Sequence, residues 1–341
     1  MTNHNFRIKN HYLFPFILFF LLVFILSFAV GKYPISPINL VKILLSKVFP
    51  IERTWSKESE TILFNIRMPR IIIAAFIGAA LSVSGLIFQG IFQNPLVSPD
   101  VLGTTSGAGF GAALGLFFGF SYFGITIISF LFGLLAVFLV MSIGRKLNNN
   151  QILSFVLAGI MISSLFSSST SFLKLVADTD NTLPAITYYL MGSLTSIRQS
   201  DLPFVITLIT LSIIPLLFLR WPLNVLTQGE DEARSLGVNT KLLRVIAIIL
   251  ATIMTSVTVA VGGVIGWVGL VIPHLIRMLL GCDYRKTLPA TIFLGAGFLI
   301  FVDTLSRILT TYEVPIGILT SFIGAPFFLY LLLREGKKVL E

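Results

Sequence analysis

The chain reads as long apolar stretches separated by short polar ones. Apolar segments fall near residues 13–31, 61–92, 101–119, 122–144, 151–173, 202–219, 243–263, 271–282, 288–309 and 315–333. Most approach the roughly 20 residues that cross about 30 Å of hydrocarbon. Backbone groups in lipid must be satisfied within the segment, and no barrel-like alternation is present, so each segment is expected to be a helix. The pattern predicts an all-α polytopic membrane protein with about ten transmembrane helices, residues 1–341 forming one transmembrane domain.

Composition agrees. Hydrophobic residues make up 55% of the 341 and charged residues 11%, against about 25% charged in a soluble domain. The net charge of +9 would raise nucleic acid as a partner of a soluble chain. No basic run with interleaved aromatics occurs, so no nucleic-acid partner is expected. Arg7 and Lys9 precede the apolar run from Leu13 to Val30, which exceeds the usual 7–15 residues of a signal-peptide core. It is read as an uncleaved first span. The single cysteine, Cys282, excludes an intramolecular disulfide.

Basic residues set the topology. With the N-terminus inside, Arg7, Lys9, Arg145, Lys146, Arg220, Arg234, Lys241, Arg244, Arg285, Lys286, Arg334, Lys337 and Lys338 all fall on the cytoplasmic side. Ten spans return the C-terminus there too. The exceptions lie outside. The external segment 32–60 carries five cations, and its Val41, Leu44, Leu45 and Val48 share a helical face suited to lying on the membrane. Arg67 and Arg70 mark the outer end of the second span and Arg307 that of the ninth, an external cationic patch. Asp303, four residues before Arg307, is placed for a helical ion pair.

An internal echo follows G-x-I-x7-P-x6-L-G: Gly85, Ile87, Pro95, Leu102-Gly103, and again Gly263, Ile265, Pro273, Leu280-Gly281, offset by 178 residues. The copies fall on spans running in opposite directions, which predicts an inverted-topology repeat.

Within the second span, Gly78, Ala79, Ser82 and Gly85 sit at helical spacing and let another helix approach closely. Gln89, Gln93 and Asn94 follow. These amides either line the inner mouth of a pathway or sit at the interface, where amides cost little. Pro95, with Ser106 and Gly107, completes the candidate pathway or gate. His274 has no Cys or carboxylate at ligand spacing and is expected to pin the glycine-rich turn of Gly262, Gly263, Gly266 and Gly269. No metal site and no cofactor are expected.

Three blocks together are distinctive: Arg67-Met-Pro-Arg70 through Gln93-Asn94-Pro95-Leu96 to Pro99-Asp100-Val-Leu-Gly103, then Gly266-Trp-Val-Gly269 to Pro273-His274-Leu-Ile-Arg277, then Val314-Pro315 to Gly324-Ala-Pro326. In this order they resemble the FecCD-type permeases of iron–siderophore and cobalamin ABC importers, over about residues 13–335. The resemblance implies the inverted-repeat ABC importer permease fold in a bacterial inner membrane. It also implies a second permease copy or related permease, a cytoplasmic ABC ATPase dimer, a periplasmic or lipid-anchored substrate-binding protein and a metal-chelate cargo. By the same resemblance, Arg67, Arg70 and Arg307 would take acidic residues of the binding protein. Residues 221–244 would form the cytoplasmic coupling loop, with Glu230, Glu232, Ala233, Arg234, Ser235, Leu236 and Gly237 against the ATPase. A short helix at Ala185–Met191 would help close the outer vestibule.

The chain has no G-x4-G-K-[ST] loop of its own. An ion-coupled secondary transporter is the alternative. It would need carboxylates or histidines within its spans, and only Asp303, Asp100 and His274 come near. No clustered His, Cys and acidic constellation points to an enzyme. A pathway of small, apolar and uncharged polar side chains is expected, suited to a chelated cargo.

Overall fold

The computed structural model describes residues 10–33, 35–47, 49–50, 52–146 and 151–339. Arg7, Lys9 and Val48 lie outside the described residues. Among these the chain is helical, without strands: α1 (Phe14–Ala29), α2 (Pro37–Leu45), α3 (Lys57–Thr61), α4 (Met68–Ile91), α5 (Thr104–Phe117), α6 (Tyr122–Lys146), α7 (Gln151–Val176), α8 (Thr182–Leu190), α9 (Asp201–Phe218), α10 (Arg220–Leu226), α11 (Glu230–Ser235), α12 (Thr240–Gly262), α13 (Val268–Leu280), α14 (Tyr284–Ile308) and α15 (Ile316–Val339). Each of the ten apolar segments holds one of these helices. Six are long and apolar enough to cross a membrane: Lys57–Ile91, Tyr122–Gly144, Leu153–Val176, Asp201–Phe218, Thr240–Gly262 and Tyr284–Ile308. Phe14–Ala29, Val268–Leu280 and Ile316–Tyr330 are shorter apolar helices. The segment expected at 101–119 is a single 3-10 turn, Pro99–Leu102, followed by the 14-residue α5.

Local sequence explains the helix starts. Ser36 accepts from the Asn39 amide ahead of α2, with Pro37 in the first turn, and Ser56 accepts from the Ser59 amide ahead of α3. Asn239 caps α12 and Asp283 caps α14 in the same way. A π turn, Ile62–Arg67, joins α3 to α4, so Lys57–Ile91 is one 35-residue helix. At 1.5 Å per residue it spans about 50 Å, and one end projects beyond the hydrocarbon.

The core forms around α4, whose apolar window is 83% buried, and α12, at 72%; α6, α7 and α9, at 28–39%, form the periphery. Small residues allow the approach: a Cβ on Gly78 would lie 2.2 Å from the Gly295 carbonyl, and one on Gly85 1.8 Å from that of Gly269. The helix packing also repeats. Exchanging α4, α5, α6, α7 for α12, α13, α14, α15 turns the neighbours α4–α13, α4–α14, α5–α7 and α6–α7 into α12–α5, α12–α6, α13–α15 and α14–α15, and all of these pairs pack.

The sequence echo does not follow this repeat. Gly103 and Gly281 both have positive φ, 74° and 78°, but Gly103 precedes α5 whereas Gly281 follows α13. Gly263 follows the end of α12, whereas Gly85 lies inside α4. That first pairing is corrected: Gly85 is required by the crossing with α13, Gly263 by a turn with φ 69°. The short helix expected at Ala185–Met191 starts at Thr182 and ends at Leu190, with Pro184 in its first turn.

Candidate functional site

Two groups of charged side chains and one cavity carry the features singled out above. The first group is where the C-terminal ends of α1 and α14 meet the N-terminal end of α4. Arg67, Arg70 and Arg307 do come together, but they are buried, only 4–6% exposed. The Arg67 Nη1 donates to the Phe28 carbonyl (2.6 Å) and its Nη2 to that of Tyr33. Arg307 donates to the Ser27 Oγ at 2.6 Å and the Val30 carbonyl at 3.2 Å. The last carbonyls of a helix lack partners and carry partial negative charge, which cations satisfy. Gly31 leaves room for this, since a Cβ there would lie 2.7 Å from the Arg67 guanidinium.

Asp303 completes the cluster. It is fully buried, accepts from the Arg70 Nε at 2.8 Å and lies 3.2 Å from the Arg307 Nε. Glu313, in the turn before α15, takes the Arg70 Nη1 at 2.7 Å. The expectation of an exposed cationic patch is therefore corrected. Three arginines against two carboxylates, turned inward, clamp the end of α1 to α4 and α14. Sequence reasoning found Asp303 by its i,i+4 spacing but missed Glu313, whose partner is 243 residues away.

The second group lies on the segment 221–244. It breaks into α10 and α11 around Gly229 and Gly237, both at positive φ. Ala233 is buried beneath α11, while Glu232, Arg234, Ser235, Leu236 and Gly237 are exposed. Glu230 ties this short helix down, pairing with Arg234 one turn on and with Arg244 of α12 at 2.9 Å. Burial acts to raise the Glu230 carboxyl pKa, but Arg244 and then Arg234 outweigh it and hold it below the ordinary carboxylate range. Asn224, unremarked in the sequence, gives its side-chain amide to Asp283 (2.6 Å) and accepts from the Tyr284 amide (2.6 Å), fastening α10 to the start of α14.

Beside this segment, at the C-terminal end of α4, lies a cavity of about 440 Å³, lined in part by Gln89, Gln93, Asn94, Pro95, Thr227 and Arg277. Gln89 is buried; it donates to the Gly269 carbonyl (3.3 Å) and accepts from Arg277. Gln93 adopts a left-handed conformation, φ 48°, and α4 closes with the Asn94 amide on the Gln89 carbonyl. Gln93 also reaches the Leu226 carbonyl of α10 (3.3 Å), so the end of α4 touches the 221–244 segment directly. Ser106 is half-buried on α5. Gly107 lies elsewhere: a Cβ would sit 2.6 Å from the Phe132 carbonyl, so it is a close-packing position between α5 and α6. His274 is buried against Phe328 of α15.

A helical, multi-pass membrane protein with a repeated four-helix packing and short exposed helices at one end has the architecture of a transport permease. Comparison with known proteins gives the family: the FecCD transport family matches residues 18–334, and the chain belongs to it. It is the permease subunit of an ABC importer. The molybdate import permease MolB of Haemophilus influenzae is 40% identical over 95% of this chain and 96% of its own length. The hemin transport permease HmuU of Yersinia pestis is 35% identical over 94% and 96%. A solved ABC transporter assigned to the metal-chelate type, in an inward-facing conformation, superposes with a TM-score of 0.85 at 38% identity, over 94% of this chain and 98% of the other. Family membership sets aside the ion-coupled alternative.

Proposed function

We propose that the chain imports a metal chelate, an iron–siderophore first, as half of a permease pair in a bacterial inner membrane with both termini in the cytoplasm. An external binding protein delivers the cargo and a cytoplasmic ATPase dimer supplies the work. The observation that carries this is the family match over nearly the whole chain. The surface of α7 supports the pairing. Ser164, Ser167, Ser168 and Ser171 lie on one exposed face of the helix, and hydroxyls facing a second copy across a pathway cost less than hydroxyls facing lipid. From Ser164 to Ser171 that face carries no charge, Lys174 following one turn later at the helix end, and an uncharged stretch suits a cargo whose metal is already enclosed.

The exposed rim of α11, Glu232 to Gly237, is the ATPase-coupling surface in this reading. In the same reading Arg67, Arg70 and Arg307 hold the outer rim where the binding protein docks, its acidic residues competing with the quarter-exposed Glu313 for Arg70. The identity to a molybdate permease favours an oxyanion cargo as a second reading.

Leu236 is 56% exposed and Gly237 has open space around it. Replacing Leu236 with Glu is expected to leave the fold intact, since exposed positions cost within about 0.5 kcal/mol, while reducing ATP-driven uptake at least about tenfold. Uptake and ATPase rates of the assembled complex, measured side by side, check this. Transport at the wild-type rate would remove the coupling surface from the account.

A further inference from the structure

A cationic cavity of about 390 Å³ lies where the start of α1, the end of α9 and the start of α14 meet. Its cations are Arg220, Arg285 and Lys286, and Tyr12, Phe218 and Trp221 stand beside them. Each part is positioned. The Arg220 Nε donates to the Leu217 carbonyl (2.6 Å), fixing the guanidinium at the end of α9. The Tyr12 hydroxyl donates to the Arg285 carbonyl (3.3 Å), holding the chain before α1 against α14.

The cations have no counter-charge. Among the described residues no carboxylate lies within ion-pair distance of any of the three. The nearest acidic residue in sequence, Asp283, is engaged with Asn224 and with the Arg285 amide. Three converging cations without a carboxylate call for an anion.

The surroundings say which. Leu211, Ile214 and Phe218 form an exposed apolar stripe down α9, 61%, 45% and 82% exposed, and the stripe runs straight into the cavity. Trp221, 46% exposed, continues it at the level where amphipathic aromatics sit in a membrane interface. Phosphate beside cations and acyl chain along an apolar stripe is the chemistry of a phospholipid, and basic pockets between helices hold such headgroups.

We propose that this cavity is a specific site for an anionic phospholipid, its phosphate held by Arg220, Arg285 and Lys286 and its chains lying along α9. Its place in the inner leaflet rests on the proposed topology. Because Asn224 joins α10 to Asp283 beside the same helix end, an occupied site braces the root of the 221–244 segment.

The test uses the intact chain in nanodiscs and in detergent, with cardiolipin, phosphatidylglycerol and phosphatidylcholine as probes. Native mass spectrometry is expected to show cardiolipin and phosphatidylglycerol retained over phosphatidylcholine, with affinity falling on the order of tenfold to a hundredfold in R220Q/R285Q/K286Q. The charge-keeping R220K/R285K variant should retain most binding, which separates lost charge from lost fold. In the wild-type chain, brominated cardiolipin should quench the fluorescence that W221F removes more than brominated phosphatidylcholine does. Equal retention by the wild-type and triple-Gln chains, equal quenching by both lipids, or full competition by millimolar inorganic phosphate would overturn the proposal. Failure of the topology reads differently: Cys282, next to the site, would be labelled from outside the cell while lipid retention persisted.

Discussion

Asp303→Asn is expected to destabilise the protein by about 3–5 kcal/mol, the usual cost of breaking a buried ion pair from one side. The carboxylate has no exposed surface and faces Arg70 and Arg307 at once. Asparagine is nearly isosteric, so little packing is lost and the change isolates the charge. Two buried guanidinium groups would share only Glu313, a quarter exposed and in contact with Arg70 alone. The cost should appear as a large drop in thermal midpoint in detergent and a lower yield of folded protein. A double-mutant cycle with Arg70→Met should show strong coupling, because removing both partners leaves less uncompensated charge than removing one. Additive effects would mean that Arg70 is held by Glu313 rather than by Asp303.

Gly85→Ala is the second large effect. A methyl group would lie 1.8 Å from the Gly269 carbonyl, a backbone atom of α13 that cannot rotate away. The two helices must separate along their crossing, and overpacking costs about 1–3 kcal/mol or more. Gly266→Ala is the matched control, since a Cβ there meets nothing within 4 Å. Unfolding of the two variants under identical conditions should separate them clearly, with Gly266→Ala near wild type. Equal midpoints would mean that α4 and α13 are not in close contact in the membrane.

These two sites differ in how far they could be read from sequence. The small-residue spacing at Gly78, Ser82 and Gly85 announces a close helix approach, because the rule needs only one helix. The spans were legible for the same reason: hydrophobic length is a local property. The fate of the arginines was not. Arg67 points inward because the unpartnered carbonyls of α1 lie beside it, 39 residues earlier in the chain, and Arg70 because Asp303 lies 233 residues later. No local pattern distinguishes an arginine that caps a neighbouring helix from one displayed to a partner. Gln93 was equally hidden, since its left-handed conformation depends on how α4 closes. The helix break at Gly229 and Gly237 was readable from the glycines. The Asn224–Asp283 contact that anchors it was not.

The clamp and the 221–244 segment lie at opposite ends of the longest buried helix. α4 carries Arg70 near one end and Gln89 near the other, and it packs against α12, α13 and α14 between them. A rigid, glycine-packed helix touching both ends suits a protein that moves cargo without chemistry of its own.

The central claim is that this chain is a passive conduit driven by partner subunits. Its most direct test is uptake into proteoliposomes holding the purified chain with its ATPase and binding protein, measured with ATP, without ATP, and with an imposed proton or sodium gradient. Uptake should require ATP, the ATPase and the binding protein together, and should not respond to either gradient. Uptake by the chain alone, driven by an ion gradient, would contradict the account.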